Sequence, residues 1–205
     1  MRKPAVFFDR DGILNSLVFD EVRGVMDSPL SADRLELFRD APAFVQALNK
    51  RGYLVLVVTD QPFIARGRLS PIGLDRIHRK LRESLIGARI DGIFFCPHDP
   101  DAHAAPGSRV REEFATACRC RKPAPGLILR AAQSHSVDLA RSFMVCRNLE
   151  DVKAGRSAAL ETILLADARM DEIEAPPDLR PHHAVANFAD VVRIIDAARN
   201  AALRS

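Results

Sequence analysis

The sequence predicts an α/β fold in which helices cover both faces of one doubly wound parallel sheet. Short apolar runs rich in β-branched residues alternate along the chain with longer segments whose apolar residues recur at helical spacing. Residues that favour helix ends, chiefly Asp, Ser, Pro and Gly, separate these segments. Such alternation indicates a parallel sheet, because each helix carries the chain back to the starting edge of the next strand.

The predicted strands are apolar runs of four or five residues, and each leads into a polar or reactive residue. The second is the most strongly β-branched and runs into Thr59 and Asp60. The strands cover residues 5–9, 54–58, 92–95, 142–146 and 162–166.

Helices are predicted between the strands. The first follows Asp40, with Pro42 in its first turn and Gly52 just beyond its end. The second opens at Ser70-Pro71 and places apolar residues at helical spacing up to Leu85. The others cover residues 125–136, 149–159 and 188–203, and a short helix is expected at 110–117 within an irregular segment, 96–125.

The composition is that of an ordinary globular protein, with 47% hydrophobic and 28% charged residues among 205, and it predicts one domain over 1–205. The net charge of +3 is not gathered in a basic stripe, so nucleic-acid binding is not expected. No apolar run approaches the ~20 residues that span a bilayer. Residues 1–4 lead directly into the first strand without a signal-peptide region. We therefore expect a cytoplasmic monomer that binds neither membranes nor nucleic acid.

Two carboxylates, Asp9 and Asp11, follow the first strand and share one face of the extended chain. Gly12 allows the backbone to turn sharply after them. In open parallel sheets, ligands bind beyond the carboxyl ends of the strands. Acids this close repel each other unless a cation, a shared proton or a phosphoryl group lies between them. On these residues alone, a plain acidic turn remains the alternative to a binding site.

Further reactive groups stand at other strand ends or helix starts. Thr59 ends the second strand, Lys122 precedes a helix, and Asp151 follows the fourth strand. A lysine at a helix start adds an ammonium to helix-terminal amides, and both attract anions. With Asp9 and Asp11 these residues suit phosphoryl transfer. One carboxylate attacks phosphorus, a second acid protonates the leaving oxygen, and a hydroxyl and an ammonium hold the remaining oxygens.

A zinc loop is predicted at 96–120, where two pairs of metal-ligand residues bracket 19 residues. Three thiols and one imidazole suit tetrahedral Zn²⁺. In a reducing compartment, the four cysteines of the chain indicate metal binding or reactivity rather than disulfides. The predicted ligands are Cys96, His98, Cys118 and Cys120. His103 is the alternative to His98.

With these residues in this order, the chain resembles the haloacid dehalogenase superfamily of aspartate-nucleophile phosphatases over roughly 6–163. The resemblance implies a Rossmann-like fold, and the segment 13–38 is too short for a cap domain. It further implies that Asp9 is the nucleophile and forms an aspartyl-phosphate, and that Asp11 is the general acid and then the base. Thr59 and Lys122 would stabilise the phosphoryl group.

Four motifs, at 64–67, 96–100, 118–123 and 149–151, are similar to those of D-glycero-D-manno-heptose 1,7-bisphosphate 7-phosphatases. Related histidinol-phosphate phosphatases usually have a shorter zinc loop, so the heptose branch is favoured. By this resemblance the substrate is a small phosphorylated sugar whose polar groups Arg121 recognises. Asp60 and Arg66 are further candidates for substrate binding.

The resemblance also implies a catalytic Mg²⁺, with Asp9, Asp11 and Asp151 as ligands. In these phosphatases the fourth strand normally ends in Gly-Asp, whose Asp binds the metal, whereas this chain has Cys146-Arg147. A unit positive charge ~4 Å from a divalent ion costs about 8 kcal/mol at an effective dielectric constant of 20. Micromolar binding contributes a similar free energy.

Arg147 has three possible placements. It could pair with Asp60, which replaces the family's usual Asn. It could turn to solvent while Asp151 or Glu150 holds the metal, or its guanidinium could replace the cation and bind phosphate.

The leading function is hydrolysis of a sugar phosphate. The alternatives are a catalytically impaired relative that binds a phosphorylated metabolite or a protein partner, and a phosphatase for another ester such as histidinol phosphate.

Overall fold

The computed structural model describes residues 2–104, 109–166 and 173–202. Its strands are β1 (Ala5–Phe8), β2 (Val18–Asp20), β3 (Val25–Asp27), β4 (Leu54–Asp60), β5 (Gly92–Cys96), β6 (Phe143–Cys146), β7 (Glu161–Leu165) and β8 (His183–Val185). Its α-helices are α1 (Ala41–Lys50), α2 (Pro71–Ser84), α3 (Gly126–His135), α4 (Leu149–Ser157) and α5 (Phe188–Ala202).

Six strands form one sheet in the order β5-β4-β1-β6-β7-β8, and every neighbouring pair is parallel. β2 and β3 form a separate antiparallel hairpin. The hairpin and one turn of 3-10 helix (Ala32–Arg34) are the regular structure in 13–38, so the predicted capless α/β fold is confirmed.

The predicted strands and the five long helices are found within two residues of their expected bounds. The start of α2 shows why local sequence determines such boundaries. The Ser70 hydroxyl accepts a hydrogen bond from the Gly73 N–H at 3.0 Å, and Pro71 occupies the first turn. Asp40 precedes α1 as expected, but its carboxylate makes no capping hydrogen bond.

The short helix expected at 110–117 is wrong, because this segment forms only one turn of 3-10 helix, Glu112–Phe114. Backbone contacts to the loop before α2 hold the segment instead. The N–H groups of Arg109 and Arg111 donate to the carbonyls of Arg66 and Ala65 at 2.9 and 2.8 Å. These bonds attach the start of the segment to that loop.

Alternating side chains of the central strands pack into two apolar cores, one on each face of the sheet. On β1, Val6 and Phe8 join the core covered by α1, α2 and α5. Ala5 and Phe7 join the core covered by α3 and α4. Helices on both faces make the sheet doubly wound, as predicted.

The strand order brings the carboxyl ends of β4, β1 and β6 together. Phe8 at the end of β1 lies between Val57 of β4 and Val145 of β6 in the sheet register. The chain leaves β1 towards β4 and returns to its other side through β6, which makes this a topological switch point where ligands bind. Among the described residues, no helix is long and apolar enough to cross a membrane.

Candidate active site

Asp9 follows β1 directly and contacts Lys122, a residue 113 positions away in the chain. One carboxylate oxygen accepts a hydrogen bond from the Arg10 N–H at 2.6 Å, and the other lies 2.5 Å from the Lys122 ammonium. The Asp9 side chain is 16% exposed to solvent. Burial raises the pKa of Asp9 from its ordinary value, and the Lys122 ammonium opposes this rise. Asp9 is therefore an accessible carboxylate held by a fixed cation.

Lys122 is almost fully buried and lies between two carboxylates, since its ammonium is also 2.7 Å from Asp151 Oδ1. Burial alone would lower the pKa of Lys122, but the carboxylates of Asp9, Asp151 and Asp60 raise it above its ordinary value. The lysine therefore remains an ammonium. Asp151 lies in the first turn of α4, and its other oxygen accepts a hydrogen bond from the Arg147 N–H at 3.0 Å.

Asp11 is surrounded by hydrogen-bond donors. The Arg10 guanidinium binds it with two bonds of 3.0 and 2.9 Å, and Asn15, Ser28 and Gln61 each donate one more. Burial alone would raise the pKa of Asp11, but the Arg10 guanidinium and the other donors lower it. The structure therefore holds Asp11 as an ionised carboxylate.

Arg10 is the main site residue that sequence reasoning missed. It is fully buried, and besides Asp11 it contacts Gln61 Oε1 at 3.3 Å. Gln61 in turn donates to Thr59 Oγ1 at 3.1 Å, so it links the ends of β1 and β4. The position of Arg10 between two aspartates was the available signal, because a charged residue that follows a buried strand is buried only if it is paired.

Thr59 and Asp60 lie at the end of β4 as predicted, with the Thr59 side chain fully buried. Asp60 Oδ2 accepts a hydrogen bond from the Lys122 N–H at 3.2 Å, while Asp60 Oδ1 is buried without a partner among the described atoms. Burial raises the pKa of Asp60 to about 7, with a further contribution from Asp9 and opposition from Lys122.

Replacing Asp60 by Asn should stabilise the protein at alkaline pH. The pKa of Asp60 is about 7 in the folded state and 3.8 ordinarily. The protonated Asp60 carboxyl therefore contributes its full share to the free energy of unfolding below about pH 4. That contribution is lost as the pH rises through 7, because the folded state must then release a proton it binds more tightly than the unfolded state. We expect the free energy of unfolding of Asp60→Asn to exceed the wild-type value at pH 8 by about 2–4 kcal/mol.

Urea titrations at pH 4 and pH 8 measure this difference. The gain should be much smaller at pH 4, which is close to the ordinary pKa of 3.8, because most of the linked loss of stability occurs between pH 4 and pH 7. Asp75→Asn, at an exposed position on α2, is the control and should change neither value. An equal gain at both pH values would contradict the ionisation argument.

Arg147 is exposed to solvent. Its Nε, Cγ and Cδ atoms pack over Gly12, within 3.2–3.4 Å of where a side chain at that position would begin. The predicted ion pair between Asp60 and Arg147 is wrong, because Asp60 binds the Lys122 backbone instead. Of the three placements, the structure adopts the outward one.

The three carboxylates expected to hold Mg²⁺ are all engaged by protein groups. Asp11 is occupied by protein donors, Asp151 is ion-paired with Lys122, and Asp9 lies between Lys122 and a backbone amide. In the described part of the chain, the one set of at least three Asp, Glu, His or Cys side chains close enough to share an ion is the Cys/His cluster. These carboxylates therefore do not fit a magnesium ion as a side-chain triad.

The zinc ligands predicted from the sequence do come together. Their four ligand atoms all lie within 4.8 Å of one another, and Cys120 Sγ is 3.2 Å from Cys96 Sγ and 3.3 Å from both Cys118 Sγ and His98 Nδ1. Cys96 comes from the end of β5, and the remaining ligands come from the loop. The alternative ligand, His103, instead faces Glu112 at the surface. The donor set and its compactness suit tetrahedral Zn²⁺.

The three residues predicted to bind substrate occupy different positions. Arg121 follows the cluster, and its guanidinium donates to the His98 carbonyl at 3.1 Å. Arg66 is buried, and its Nε lies 2.6 Å from Asp99 Oδ2. This ion pair ties the loop before α2 to the zinc loop. Asp60 lies beside Lys122, as described above, and substrate contact by all three remains a prediction.

Comparison with known proteins identifies a family and close relatives in sequence. A model of the HAD-hydrolase-like family matches residues 119–191. A D-glycero-beta-D-manno-heptose-1,7-bisphosphate 7-phosphatase from Rhodopseudomonas palustris is 35% identical over 161 residues, which are 78% of this chain and 81% of that protein. The protein of the same name from Escherichia coli K12 is 33% identical over 172 residues, covering 79% of this chain and 78% of that protein.

Solved structures show the same fold. The D,D-heptose 1,7-bisphosphate phosphatase from B. bronchiseptica, complexed with magnesium and phosphate, has a TM-score of 0.74 and 26% identity. The match covers 95% of this chain and 98% of that one. A HAD-like phosphatase from Mesorhizobium loti has a TM-score of 0.76 and 25% identity, over 96% of this chain and 88% of that one. From this fold, the pairing of Asp9 with Lys122, and identity above 30% over most of the chain, we conclude that the protein belongs to the family of HAD-like phosphatases.

Proposed function

We propose that the protein hydrolyses D-glycero-β-D-manno-heptose 1,7-bisphosphate at the 7-position through an aspartyl-phosphate. The observation that carries this proposal is that relatives named for this reaction are 33–35% identical over nearly four fifths of the chain. The accessible Asp9 carboxylate, fixed against a buried ammonium, supports the reaction type. A sugar phosphate monoester is thus the substrate class.

In the first step, a carboxylate oxygen of Asp9 forms a bond to phosphorus while the bond from phosphorus to the sugar oxygen breaks. Lys122 neutralises charge on the phosphoryl oxygens, and the Thr59 hydroxyl is assigned to the same group. The leaving oxygen takes a proton from Asp11. To carry that proton, Asp11 has to release part of the donor set formed by Arg10 and its neighbours.

In the second step, water attacks phosphorus and the acyl-phosphate bond breaks. This releases inorganic phosphate and regenerates the Asp9 carboxylate. Asp11 accepts the proton of the water, a role for which its ionised state suits it directly. No step is assigned to Mg²⁺, because the carboxylates do not form a site for it; the buried cation in this mechanism is Lys122.

We assign Zn²⁺ to the Cys96, His98, Cys118 and Cys120 cluster, whose geometry fits the ion. The ion would act structurally, since it closes the loop that leads into Arg121 and Lys122. The Arg121 N–H already donates to Cys118 Sγ at 3.3 Å, which couples the cluster to the residue before the catalytic lysine.

Phosphate release from a panel of esters tests the proposed function. The panel contains heptose 1,7-bisphosphate, histidinol phosphate and hexose phosphates, each assayed with Mg²⁺ and with a chelator of Mg²⁺ that leaves zinc in place. We expect heptose 1,7-bisphosphate to give the highest kcat/KM. Preference for histidinol phosphate would favour the related branch, and no turnover of any ester would favour a binding protein.

Removing zinc should destabilise the protein and lower its activity. We expect metal analysis of purified protein to find about one equivalent of zinc, because three thiols and an imidazole normally bind one tetrahedral ion. Cys118→Ser removes one ligand and should lower both the zinc content and the Tm. Cys146→Ser is the control, since Cys146 lies in β6 outside the cluster, and it should retain zinc. A zinc content below half an equivalent in the wild-type protein would count against the site.

A further inference from the structure

Gln61 is a fully buried glutamine to which the mechanism above gives no role. It directly follows Asp60, the last residue of β4, where the strands that carry the candidate active site end. Burying a side-chain amide costs free energy unless its polar atoms find hydrogen-bond partners. The partners of Gln61 belong to the candidate active site, so its contacts bear on the reaction as well as on packing.

The Gln61 side chain makes three hydrogen bonds near the ends of β1 and β4. Its Nε2 donates to Asp11 Oδ2 and to Thr59 Oγ1, each at 3.1 Å. Its Oε1 accepts a hydrogen bond from Arg10 Nη2 at 3.3 Å, and the same Nη2 donates to Asp11 Oδ2 at 2.9 Å. Asp11, Arg10 and Gln61 therefore close a ring of hydrogen bonds. Thr59 joins this ring through the second hydrogen of the amide.

The backbone of Gln61 is held by the central sheet. Its N–H donates to the Cys96 carbonyl at 2.8 Å, which continues the pairing of β4 with β5 by one residue. Cys96 is also the ligand that the end of β5 supplies to the Cys/His cluster. The amide therefore reaches Asp11 from a strand end that is fixed on its other side.

The donors around Asp11 differ in what they can do when this carboxyl carries a proton. A hydroxyl both donates and accepts, so Ser28, whose Oγ lies 2.8 Å from Asp11 Oδ2, can turn and accept a hydrogen bond instead. An amide N–H only donates. Asn15 uses its N–H groups within its own loop, on Asp11 Oδ1 and the Ser16 carbonyl. Gln61 is thus the amide that ties Asp11 to another strand.

We propose that Gln61 is a positioning residue that orients the Asp11 carboxyl for proton transfer to the leaving oxygen. This inference rests on the proposed phosphatase function and deepens it, because it assigns the geometry of the acid step to one side chain. In the proposed mechanism Asp11 acts on the leaving oxygen, and Thr59 acts on the phosphoryl group that this oxygen leaves. One amide that binds both side chains fixes the distance between them.

Phosphate esters with different leaving groups test this role. The sugar oxygen of heptose 1,7-bisphosphate needs a proton as its bond to phosphorus breaks, whereas 4-nitrophenolate leaves 4-nitrophenyl phosphate without one. Both esters form the same aspartyl-phosphate, so kcat/KM compares its formation alone. We expect Gln61→Met to lower kcat/KM at least about tenfold for the heptose ester and less than about threefold for 4-nitrophenyl phosphate.

Two further variants control this comparison. Gln133→Met, at an exposed position on α3, is the matched control and should change neither kcat/KM value. Zinc content and Tm show whether Gln61→Met is folded. If it is not, Gln61→Glu makes the same comparison, because Glu keeps the shape of the side chain and the oxygen that faces Arg10 but has no N–H group.

Equal losses for both esters would overturn the proposal, because Gln61 would then act on the phosphoryl group or on the fold. No loss for either ester would overturn it as well. If the wild-type protein hydrolyses another alkyl phosphate instead, the proposed substrate is wrong, and that ester takes the place of the heptose ester in deciding the role of Gln61. Turnover of no alkyl phosphate would overturn the proposed function together with this inference.

Discussion

Replacing Asp9 by Asn is expected to reduce turnover at least about a thousandfold, because an amide oxygen cannot form the acyl-phosphate that the mechanism requires. The substitution changes little else. Asn retains the shape of the side chain and can still accept the hydrogen bond from the Arg10 N–H. Lys122 keeps its second carboxylate partner, Asp151, so the folded structure should persist.

Two measurements separate this expectation from a general loss of structure. Phosphate release is assayed for the wild-type protein, Asp9→Asn and Asp75→Asn, the last changing an exposed carboxylate on α2. Acid quenching during turnover should trap protein-bound phosphate in the wild-type protein and none in Asp9→Asn. Activity of Asp9→Asn within tenfold of the wild-type rate would reject Asp9 as the nucleophile.

Replacing Lys122 by Met is expected to lower both stability and activity. The substitution leaves the carboxylates of Asp9 and Asp151 without their shared cation. Removing one partner of a buried ion pair costs about 3–5 kcal/mol of stability. Turnover should fall on the order of 10²–10³-fold, because a fixed charge that faces the phosphoryl group is lost.

The pH dependence of the Lys122→Met effect follows from the raised pKa of the lysine. A lysine whose pKa is higher in the folded state than in the unfolded state contributes its full stability below the unfolded pKa, about 10.4. That contribution is lost only as the pH rises through the folded-state pKa. The stability difference should therefore be complete at pH 7, and it should shrink in acid as the neighbouring carboxylates take up protons. Urea titrations at pH 7 and pH 4 measure both values. Lys80→Met, on the exposed face of α2, is the control. A loss of stability below about 1 kcal/mol for Lys122→Met at pH 7 would contradict the role of Lys122 as the shared cation of Asp9 and Asp151.

Elements of four or more residues could be predicted because local patterns determine them. β4 is a continuous β-branched run, and α2 begins at a serine cap followed by proline. Three strands of three residues each, β2, β3 and β8, were not predicted. A run of three residues shows too little alternation to be distinguished from a loop, so partner strands rather than propensity decide whether it pairs.

The parts of the candidate site that could be predicted are those built from residue types with few other structural roles in such a spacing. Three cysteines and a histidine in two closely spaced pairs indicated the metal cluster, and the structure brings the same four residues together. The choice between His98 and His103 depended on which imidazole reaches the thiols, which only the path of the loop decides. Arg10 was missed because its burial depends on pairing with Asp11 and Gln61, and neither contact leaves a periodic signal.

The amino-acid sequence by itself determined the alternation of strands and helices, the acidic pair after β1 and the ligands of the zinc loop. These follow from local propensity and from the chemistry of adjacent residues. The tertiary structure alone decided that Lys122 joins Asp9 to Asp151, that Asp11 is enclosed by donors, and that Arg147 faces outward over Gly12. Such contacts join residues far apart in the chain. Their geometry depends on how burial and charge balance in the folded protein, and no local pattern encodes that balance.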